Sequence, residues 1–519
     1  MTALRIKRLS LTDFRAFPGP APAHFDLDGK NLLVYGENGA GKSSIFHALR
    51  EFFALKPARR LDDYRNVFSK IAKEQVAISV DFDDGGTAAN WHLTPATGPL
   101  GLVAAQQTGT LPLIEHHPVS RPLSKSDQRV SQAALRRACL DFRSLLDTNY
   151  KQEDGDINLF DIAVNHLIHD FPVTVAGGQI KTVGELWQAV LLAKPARHGT
   201  RLLARVNTAC AEFNAGFKQA LDALHPFITT LLGEFTGADV AVTPFEMPGV
   251  TYHQAHYLRD RDFNGKSLKL GVTFRSHALS QPQHFLNEGR LSALGLAIYL
   301  GGRLACTPSA PNQALKLLVL DDVLIGLDHS NRIPVLDVLH THFADWQIVM
   351  LTHDRNWFDL ARHRLPDKDW VCQEIYEGDP AATVPMPIYW KTENRPAKAL
   401  LAKGRQLLMA GYIEAAANYV RQACEMGLRG ACEFKKIKLN YLQDSTKHKS
   451  QDLFDGLKHW TATGKVTQAD WDAMIQRLEL LKNVVMNPYS HPSAPNIPRQ
   501  EVLDAADAVE RFLELAGTK

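Results

Sequence analysis

Several features are scarce in this chain, and each scarcity closes off a class of protein. Six cysteines in 519 residues, at 139, 210, 306, 372, 424 and 432, never form a C-x-x-C pair, which argues against zinc knuckles and a disulfide framework and favours a reducing compartment. No window approaches the roughly 18 charge-free apolar residues of a membrane span. The opening residues, Met1-Thr2-Ala3-Leu4-Arg5, lack the apolar core of a secretory signal, so a cytoplasmic protein with no membrane partner is expected. An excess of one charge is missing too: 58 Lys+Arg against 56 Asp+Glu leave +2, and any nucleic-acid surface must come from local clusters. Internal repeats, low-complexity segments and a sustained heptad are also lacking. What remains is ordinary globular material, 45% hydrophobic and 22% charged, enough for two or three domains.

The most informative stretch is Val34-Tyr35-Gly36-Glu37-Asn38-Gly39-Ala40-Gly41-Lys42-Ser43-Ser44, which fits G-x-x-x-x-G-K-[ST]. An apolar run leads into it and a helix-compatible run, Ile45 to Phe53, leaves it. In that context backbone N–H groups at Gly36, Asn38, Gly39 and Gly41 can curl around phosphate oxygens, with the helix N-terminus behind them. Lys42 reaches the outer phosphates, and Ser43 is placed to ligate Mg²⁺, with Ser44 beside it.

Around this loop the chain alternates between strand and helix signals. Leu4 to Leu11 has period two and runs into Phe14-Arg15-Ala16-Phe17; a short strand is expected near Phe25, and residues 75–94 read as a hairpin about Asp83-Asp84-Gly85-Gly86. From Ser131 the apolar positions Ala134, Leu135, Ala138, Phe142, Leu145 and Leu146 recur at three and four, which predicts a helix. Further helices are expected over Leu159–His169, Val183–Leu192 and Arg201–Phe235. Strand-like segments return at 239–245 and 268–275, expected to rejoin the first sheet.

A second set of motifs follows in the C-terminal direction. Leu315 to Asp322 is a buried-strand run ending in two acids, the Walker B pattern, in which Asp321 orients Mg²⁺ and Asp322 is the candidate base for the attacking water. Asn287-Glu288-Gly289 opens an apolar helix, with Asn287 suited to cap it. Gly326-Leu327-Asp328 follows Walker B, and the apolar strand Trp346 to Thr352 ends at His353.

In this order the motifs resemble the ABC-type ATPase heads of the RecF, Rad50 and SMC group, without the long coiled coil. The resemblance implies an α/β P-loop NTPase fold with a helical insertion and an all-α C-terminal domain, and ATP with Mg²⁺ as cofactors. It makes Asp322, His353 and Lys42 catalytic, and assigns Asn287 and Gly289 to the signature, Asp328 to the D-loop and His353 to the switch position. Two departures stand out: Asp322 replaces the usual Glu and is one methylene shorter, and Glu288 replaces a signature Gly. The glutamine loop is not placed; Gln106, Gln107, Gln128 and Gln132 all remain open. Because the signature acts on nucleotide held by another subunit, the resemblance implies a head-to-head homodimer, or a larger oligomer, around two ATP.

The last 120 or so residues read as helical: Leu400–Cys432, then a Lys-rich polar interval, then Gln468–Val485 and Arg499–Ala516. Ala415 to Glu425, and Asn487 with His491, resemble the HEPN group, in which an Arg and a His act on RNA phosphate. Met486 occupies the Arg place, so a site here would rest on Arg421, Asn487 and His491, with Lys482 or Arg477 as other cations. The expected division is an ATPase lobe over 1–130, a helical insertion or short arm over 131–237, the second ATPase half over 238–395 and the helical domain over 396–519. Basic clusters at Arg59, Arg60 and Arg65, and at Arg121, Lys125, Arg129, Arg136 and Arg137, offer a nucleic-acid surface.

The function expected is a slowly hydrolysing, dimeric, nucleotide-gated sensor or clamp on nucleic acid. The chain is similar to ATPase subunits of bacterial anti-phage systems such as Septu, which implies a separate effector nuclease. Two alternatives stay open: an ATP-gated HEPN-type ribonuclease using the His491 region, and a RecF-like DNA-repair ATPase.

Overall fold

The structure is a computed structural model and describes residues 3–54, 58–72, 75–92, 114–115, 127–134, 137–141, 158–175, 177–195, 199–237, 239–306, 314–327, 329–379, 381–392, 396–438, 449–462, 466–486 and 498–517. It divides into two units, Met1–Trp390 and Lys391–Lys519. Among the described residues no helix is long and apolar enough to cross a membrane.

The first unit begins with β1 (Ile6–Thr12), β2 (Ala23–Asp26) and β3 (Asn31–Gly36), and the hairpin expected over 75–94 is β4 (Ala77–Phe82) and β5 (Ala89–His92). With β6 (Ile114–Glu115), these give a five-stranded sheet of order β2-β1-β4-β5-β6. β3 belongs elsewhere, to a six-stranded sheet with β7 (Arg137–Asp141), β15 (Leu317–Asp321), β16 (Gln347–Thr352), β17 (Trp370–Tyr376) and β18 (Ile388–Thr392), in the order β18-β17-β3-β16-β15-β7. From β17 through β7 the pairings are parallel.

Both faces of that sheet are covered, which is why its strands read as unbroken apolar runs. Leu317, Val319, Val349 and Leu351 point into a core with the helix Lys42–Phe52 and the five-stranded sheet. Leu318, Leu320, Ile348 and Met350 point into the other, shared with the helical insertion and the helix Glu288–Cys306. Parallel strands all end on the same edge, so the loop after β3 and the acids after β15 arrive side by side.

The insertion is led by a 37-residue helix, Thr200–Thr236, close to the run expected from sequence and continuing through Pro226. Phe213, Phe217, Leu224, Ile228, Leu231 and Phe235 form its buried stripe. It packs on Glu288–Cys306 at a close approach where a methyl group on Gly301 would lie 3.1 Å from Ile228 Cγ1. Val183–Leu192 is helical, with Thr182 and Glu185 forming a capping box. The expected Leu159–His169 helix is a short α-turn, Phe160–Ile162, continued by a π-turn, Ala163–Leu167. Two small hairpins, β8 (Pro172–Thr174) with β9 (Ile180–Thr182) and β11 (Thr251–His253) with β12 (Asp262–Asn264), complete this region.

Two expectations for the first unit are overturned. The helix starting near Ser131 ends at Ala134, and residues 137–141 are strand β7, with Ala138 opposite Leu318 and Leu140 opposite Leu320. Ala138 follows Ala134 at helical spacing, but Ala138 and Leu140, two apart, share a face only in a strand, and parallel pairing with β15 fixes that reading; Phe142, Leu145 and Leu146 lie outside the described residues. The segments at 239–245 and 268–275 do not rejoin the parallel sheet. They are β10 (Val240–Glu246) and β13 (Lys269–Phe274), which form a separate antiparallel sheet with β14 (His277–Leu279). Val240 and Val242 are buried while Ala241 and Thr243 are exposed, an alternation suited to a sheet wet on one side.

The second unit is a helical bundle of Pro396–Met409, Ile413–Phe434, Ser450–Lys458, Gln468–Leu481 and Arg499–Ala516, around Val420, Cys424, Leu428, Phe454, Trp471 and Phe512. The single helix expected over Leu400–Cys432 is broken at Gly411, whose φ of 87° stops the first segment. The Ser450–Lys458 helix falls where only a polar interval is expected; three buried positions, Leu453, Phe454 and Leu457, are its whole apolar face.

Candidate nucleotide-binding site

The loop leaving β3 is built for close approach. Gly39 and Gly41 have φ of 90° and 109°, left-handed conformations that a side chain disfavours. A methyl group on Gly36 would lie 2.8 Å from Ile375 O. Gly41 caps the helix Lys42–Phe52, and the Lys42 ammonium folds over the loop to donate to Gly36 O at 2.6 Å and Glu37 O at 3.1 Å. Burial pulls the Lys42 pKa down, with Asp322 and Asp321 acting against it.

This loop is one wall of a cleft of about 520 Å³, lined by Asn38, Gly39, Gly41, Lys42, Ser43 and Asp322 among the expected residues. Gly36 lies beneath it. Ser44 reaches the cleft, but its hydroxyl turns inward to accept from Ala16 N at 3.2 Å, tying the Phe14–Phe17 turn to the helix.

Residues not assigned to the site from sequence also line the cleft: Arg15, Arg59, Asp63 and Tyr64. Arg15 sits at φ 50° and Asp13 at φ 52°. The turn is clamped by Arg15 N donating to Tyr64 O at 2.6 Å and Asn66 Nδ2 donating to Arg15 O at 2.6 Å. Left-handed backbone at two non-glycine residues is held only where the surroundings over-determine it. Nothing in sequence spacing brings the Phe14-Arg15-Ala16-Phe17 segment to the cleft. Of the basic residues read as a nucleic-acid surface, Arg60 pairs with Asp62 at 2.9 Å, Arg65 with Asp13 at 3.2 Å and Arg129 with Asp127 at 2.9 Å. Arg121, Lys125 and Arg136 lie outside the described residues, as does the side chain of Arg137.

At the end of β15, Asp321 is 8% exposed; one hydrogen bond joins it to Ser43, while its Oδ1 is buried without a partner. Burial and the neighbouring Asp322 push its pKa up to about 6, opposed by Ser43 and Lys42 and reinforced by Asp141. A buried carboxylate oxygen with no donor fits a cation supplied with the nucleotide. Among the described residues no three His, Cys, Asp or Glu side chains form a metal cage, so phosphate oxygens and water would complete its shell.

Asp322 stands at φ 54°, a backbone turn that re-aims the shorter side chain. Its Oδ1 accepts from His353 N and from His353 Nδ1, both at 2.9 Å. Asp322 and His353 are therefore in direct contact. Asp354, next to His353, caps the helix Arg355–Arg364 by accepting from Trp357 N at 3.0 Å.

The signature residues are placed as a helix start: Asn287 Oδ1 accepts from Arg290 N at 3.1 Å, and Gly289 is buried in the first turn. Neither lines the cleft. Gln128 and Gln132 are exposed on a short helix and do not line it either; Gln106, Gln107 and Asp328 lie outside the described residues. In the second unit, Asn487 and His491 are likewise outside. Arg421 pairs with Glu425 at 3.1 Å, and Lys482 is buried over the Phe454 ring at 5.5 Å.

The parallel sheet, the glycine cradle and the paired acids define a mixed α/β P-loop fold with a helical second unit. Residues 8–99 match the AAA domain family (AAA_23). The chain is similar to an Smc head bound to the C-winged helix domain of ScpA, at 13% identity over 75% of this chain and 98% of that one, TM-score 0.37. It is also similar to the Smc head domain with an extended coiled coil bound to the C-terminal domain of ScpA from Pyrococcus furiosus, at 13% over 78% and 99%, TM-score 0.39. A third likeness is to the recombination mediator protein RecF with ATP in the RecFOR pathway, at 13% over 75% and 98%, TM-score 0.36. No curated protein matches.

Proposed function

We propose that the chain binds ATP with Mg²⁺ in this cleft and hydrolyses it slowly, and that two copies close head to head so that the Asn287–Gly289 helix start of one completes the site of the other. The observation that carries the reading is the meeting of Lys42, Ser43, Asp321 and the Asp322–His353 pair at one edge of the parallel sheet. Ser43 and Asp321 would hold the metal, which supplies positive charge to the phosphate oxygens. Backbone N–H groups of Asn38 to Lys42 and the Lys42 ammonium orient the phosphates. Asp322 is the group placed to take a proton from water, and His353 fixes its carboxylate by donating from Nδ1. An acceptor already engaged by two donors is a weaker base, which favours slow turnover.

The dimer rests on the signature helix start lying outside the lining of its own cleft. An isologous pair brings each signature to the other's nucleotide. The narrower reading, a clamp on nucleic acid acting with a separate nuclease in anti-phage defence, has the sequence resemblance as its support. The pairing of Arg60, Arg65 and Arg129 adds nothing to it.

The test uses Asp322→Asn protein in sedimentation with and without ATP and Mg²⁺. A dimer dependent on both is expected; a strict monomer at micromolar protein would falsify the dimer. Labelled ATP should bind wild type, lose affinity when EDTA removes Mg²⁺, and fail to bind Lys42→Ala.

A further inference from the structure

The loop after β15 is gripped from two sides around Gly326, by the helix Glu288–Cys306 and by the side chain of Arg332. On one side, Gly326 is pressed against the helix Glu288–Cys306: a methyl group there would lie 2.1 Å from Ser292 Oγ and 3.1 Å from Ser292 Cβ. On the other, Arg332, only 13% exposed, donates from Nε to Leu327 O at 2.8 Å and from an outer nitrogen to Ile325 O at 3.4 Å. Its remaining nitrogen pairs with Asp354. Asp354 adjoins His353, which holds Asp322. Arg332, His353, Asp354, Asp322 and Trp357 line one small cavity of about 50 Å³.

The structure assigns Arg332 as a positioning residue that joins the loop seated on the Glu288–Cys306 helix to the Asp322–His353 pair. The assignment rests on the hydrolysis reading. A guanidinium suits the task because its planar fork serves two carbonyls and a carboxylate at once, whereas an ammonium is a single point of charge. Movement of the signature helix is thereby transmitted to the loop carbonyls, to Arg332, and on to the backbone that carries His353. Arg332 does not line the nucleotide cleft, so its loss should leave nucleotide affinity intact and misplace the base.

Full-length wild type, Arg332→Gln and Arg332→Lys are compared for turnover, for affinity toward a fluorescent ATP analogue, and for thermal midpoint. Arg332→Gln should lower kcat by about tenfold or more, the scale of a slightly misplaced catalytic group, with affinity within about twofold of wild type. Arg332→Lys, retaining the charge opposite Asp354, should fall between. A kcat unchanged in Arg332→Gln overturns the assignment, and so does a loss of affinity or thermal midpoint in step with kcat in both variants, which marks a merely structural role. If wild type hydrolyses no ATP, the parent reading fails and this one with it; active wild type with unaffected variants removes this inference alone.

Discussion

Asp322 and His353 are 31 residues apart in sequence and share one oxygen: Asp322 Oδ1 accepts from both the main-chain N and the Nδ1 of His353, each at 2.9 Å. A carboxylate oxygen can only accept here, so the imidazole donates from Nδ1 and its Nε2 faces away from this contact. The contact joins the residues that directly follow the adjacent parallel strands β15 and β16.

Asp322→Asn is the sharpest probe of that pair. Asparagine tolerates the φ of 54° and its carbonyl oxygen can accept the same donors, so the fold is retained while the base is lost. Phosphate release should fall by about 10²- to 10⁴-fold, the usual worth of a general base, with ATP affinity preserved. Retention of most of the activity in a phosphate-release assay would put the base elsewhere. Wild-type turnover well above about 10 s⁻¹, the median for enzymes, would contradict the slow-switch reading.

His47 offers a pH test that is separate from the metal-binding residues. Burial, with Arg15 and Arg50 nearby, lowers its pKa from 6.5 to about 4, and its Nδ1 is buried without a partner. The folded state therefore resists a proton that the unfolded chain accepts. No penalty arises above pH 6.5, where both states are neutral; as pH falls toward 4 the unfolded chain takes the proton first and the fold loses stability, by less than the unscreened value of about 3 kcal/mol because the ring is partly exposed. Denaturant unfolding of wild type and His47→Gln between pH 4 and 8 should show a smaller acid loss in the variant; parallel curves would contradict the assignment.

The cradle and the order of its partner motifs were legible because each is local: glycine spacing, an apolar strand ending in acids, a capping Asn. The contact between Asp322 and His353 was not, since it arises from β15 and β16 lying side by side in register, with Leu320 opposite Met350. Arg15 was hidden for a similar reason; its approach to the cleft depends on a left-handed turn clamped by Tyr64 and Asn66. Strand β7 was misread because five residues with two buried apolar positions carry too little periodicity to separate strand from helix. The basic residues looked like a surface field in sequence; Asp62 and Asp127, two residues from Arg60 and Arg129, were visible there as possible partners, whereas the pairing of Arg65 with Asp13 arises only from the fold.

In the second unit Trp471 is the residue whose loss should cost most. It is fully buried, donates from Nε1 to Leu457 O at 3.0 Å, and meets Trp460 edge-on at 4.7 Å between ring centres. Trp471→Ala should destabilise this unit by about 3–5 kcal/mol, the range for large-to-small core changes. Trp471→Phe keeps most of the packing and removes one donor from the Leu457 carbonyl, which still accepts from Trp460 N at 3.2 Å, so it should cost only about 0.5–1.5 kcal/mol. Equal losses from the two, measured by urea unfolding, would show that the hydrogen bond rather than the packing dominates.

Two glycines separate backbone strain from crowding. Gly85, at φ 73°, has nothing within 4 Å of an added methyl group, so Gly85→Ala meets strain alone, about 1 kcal/mol. Gly41, at φ 109°, has the same kind of strain, and its methyl group would lie 3.1 Å from Ala16 Cβ and 3.3 Å from Phe17 Cζ. Phe17 is held edge-on against Phe25 and Tyr389, so the ring cannot easily withdraw. The methyl group must instead push the loop away from the Phe14–Phe17 turn, shifting the N–H groups that face the phosphates. Gly41→Ala should therefore cost up to about 3 kcal/mol and abolish ATP binding, whereas Gly85→Ala leaves affinity unchanged. If both variants bind labelled ATP equally well, the cradle does not hold nucleotide in the way described.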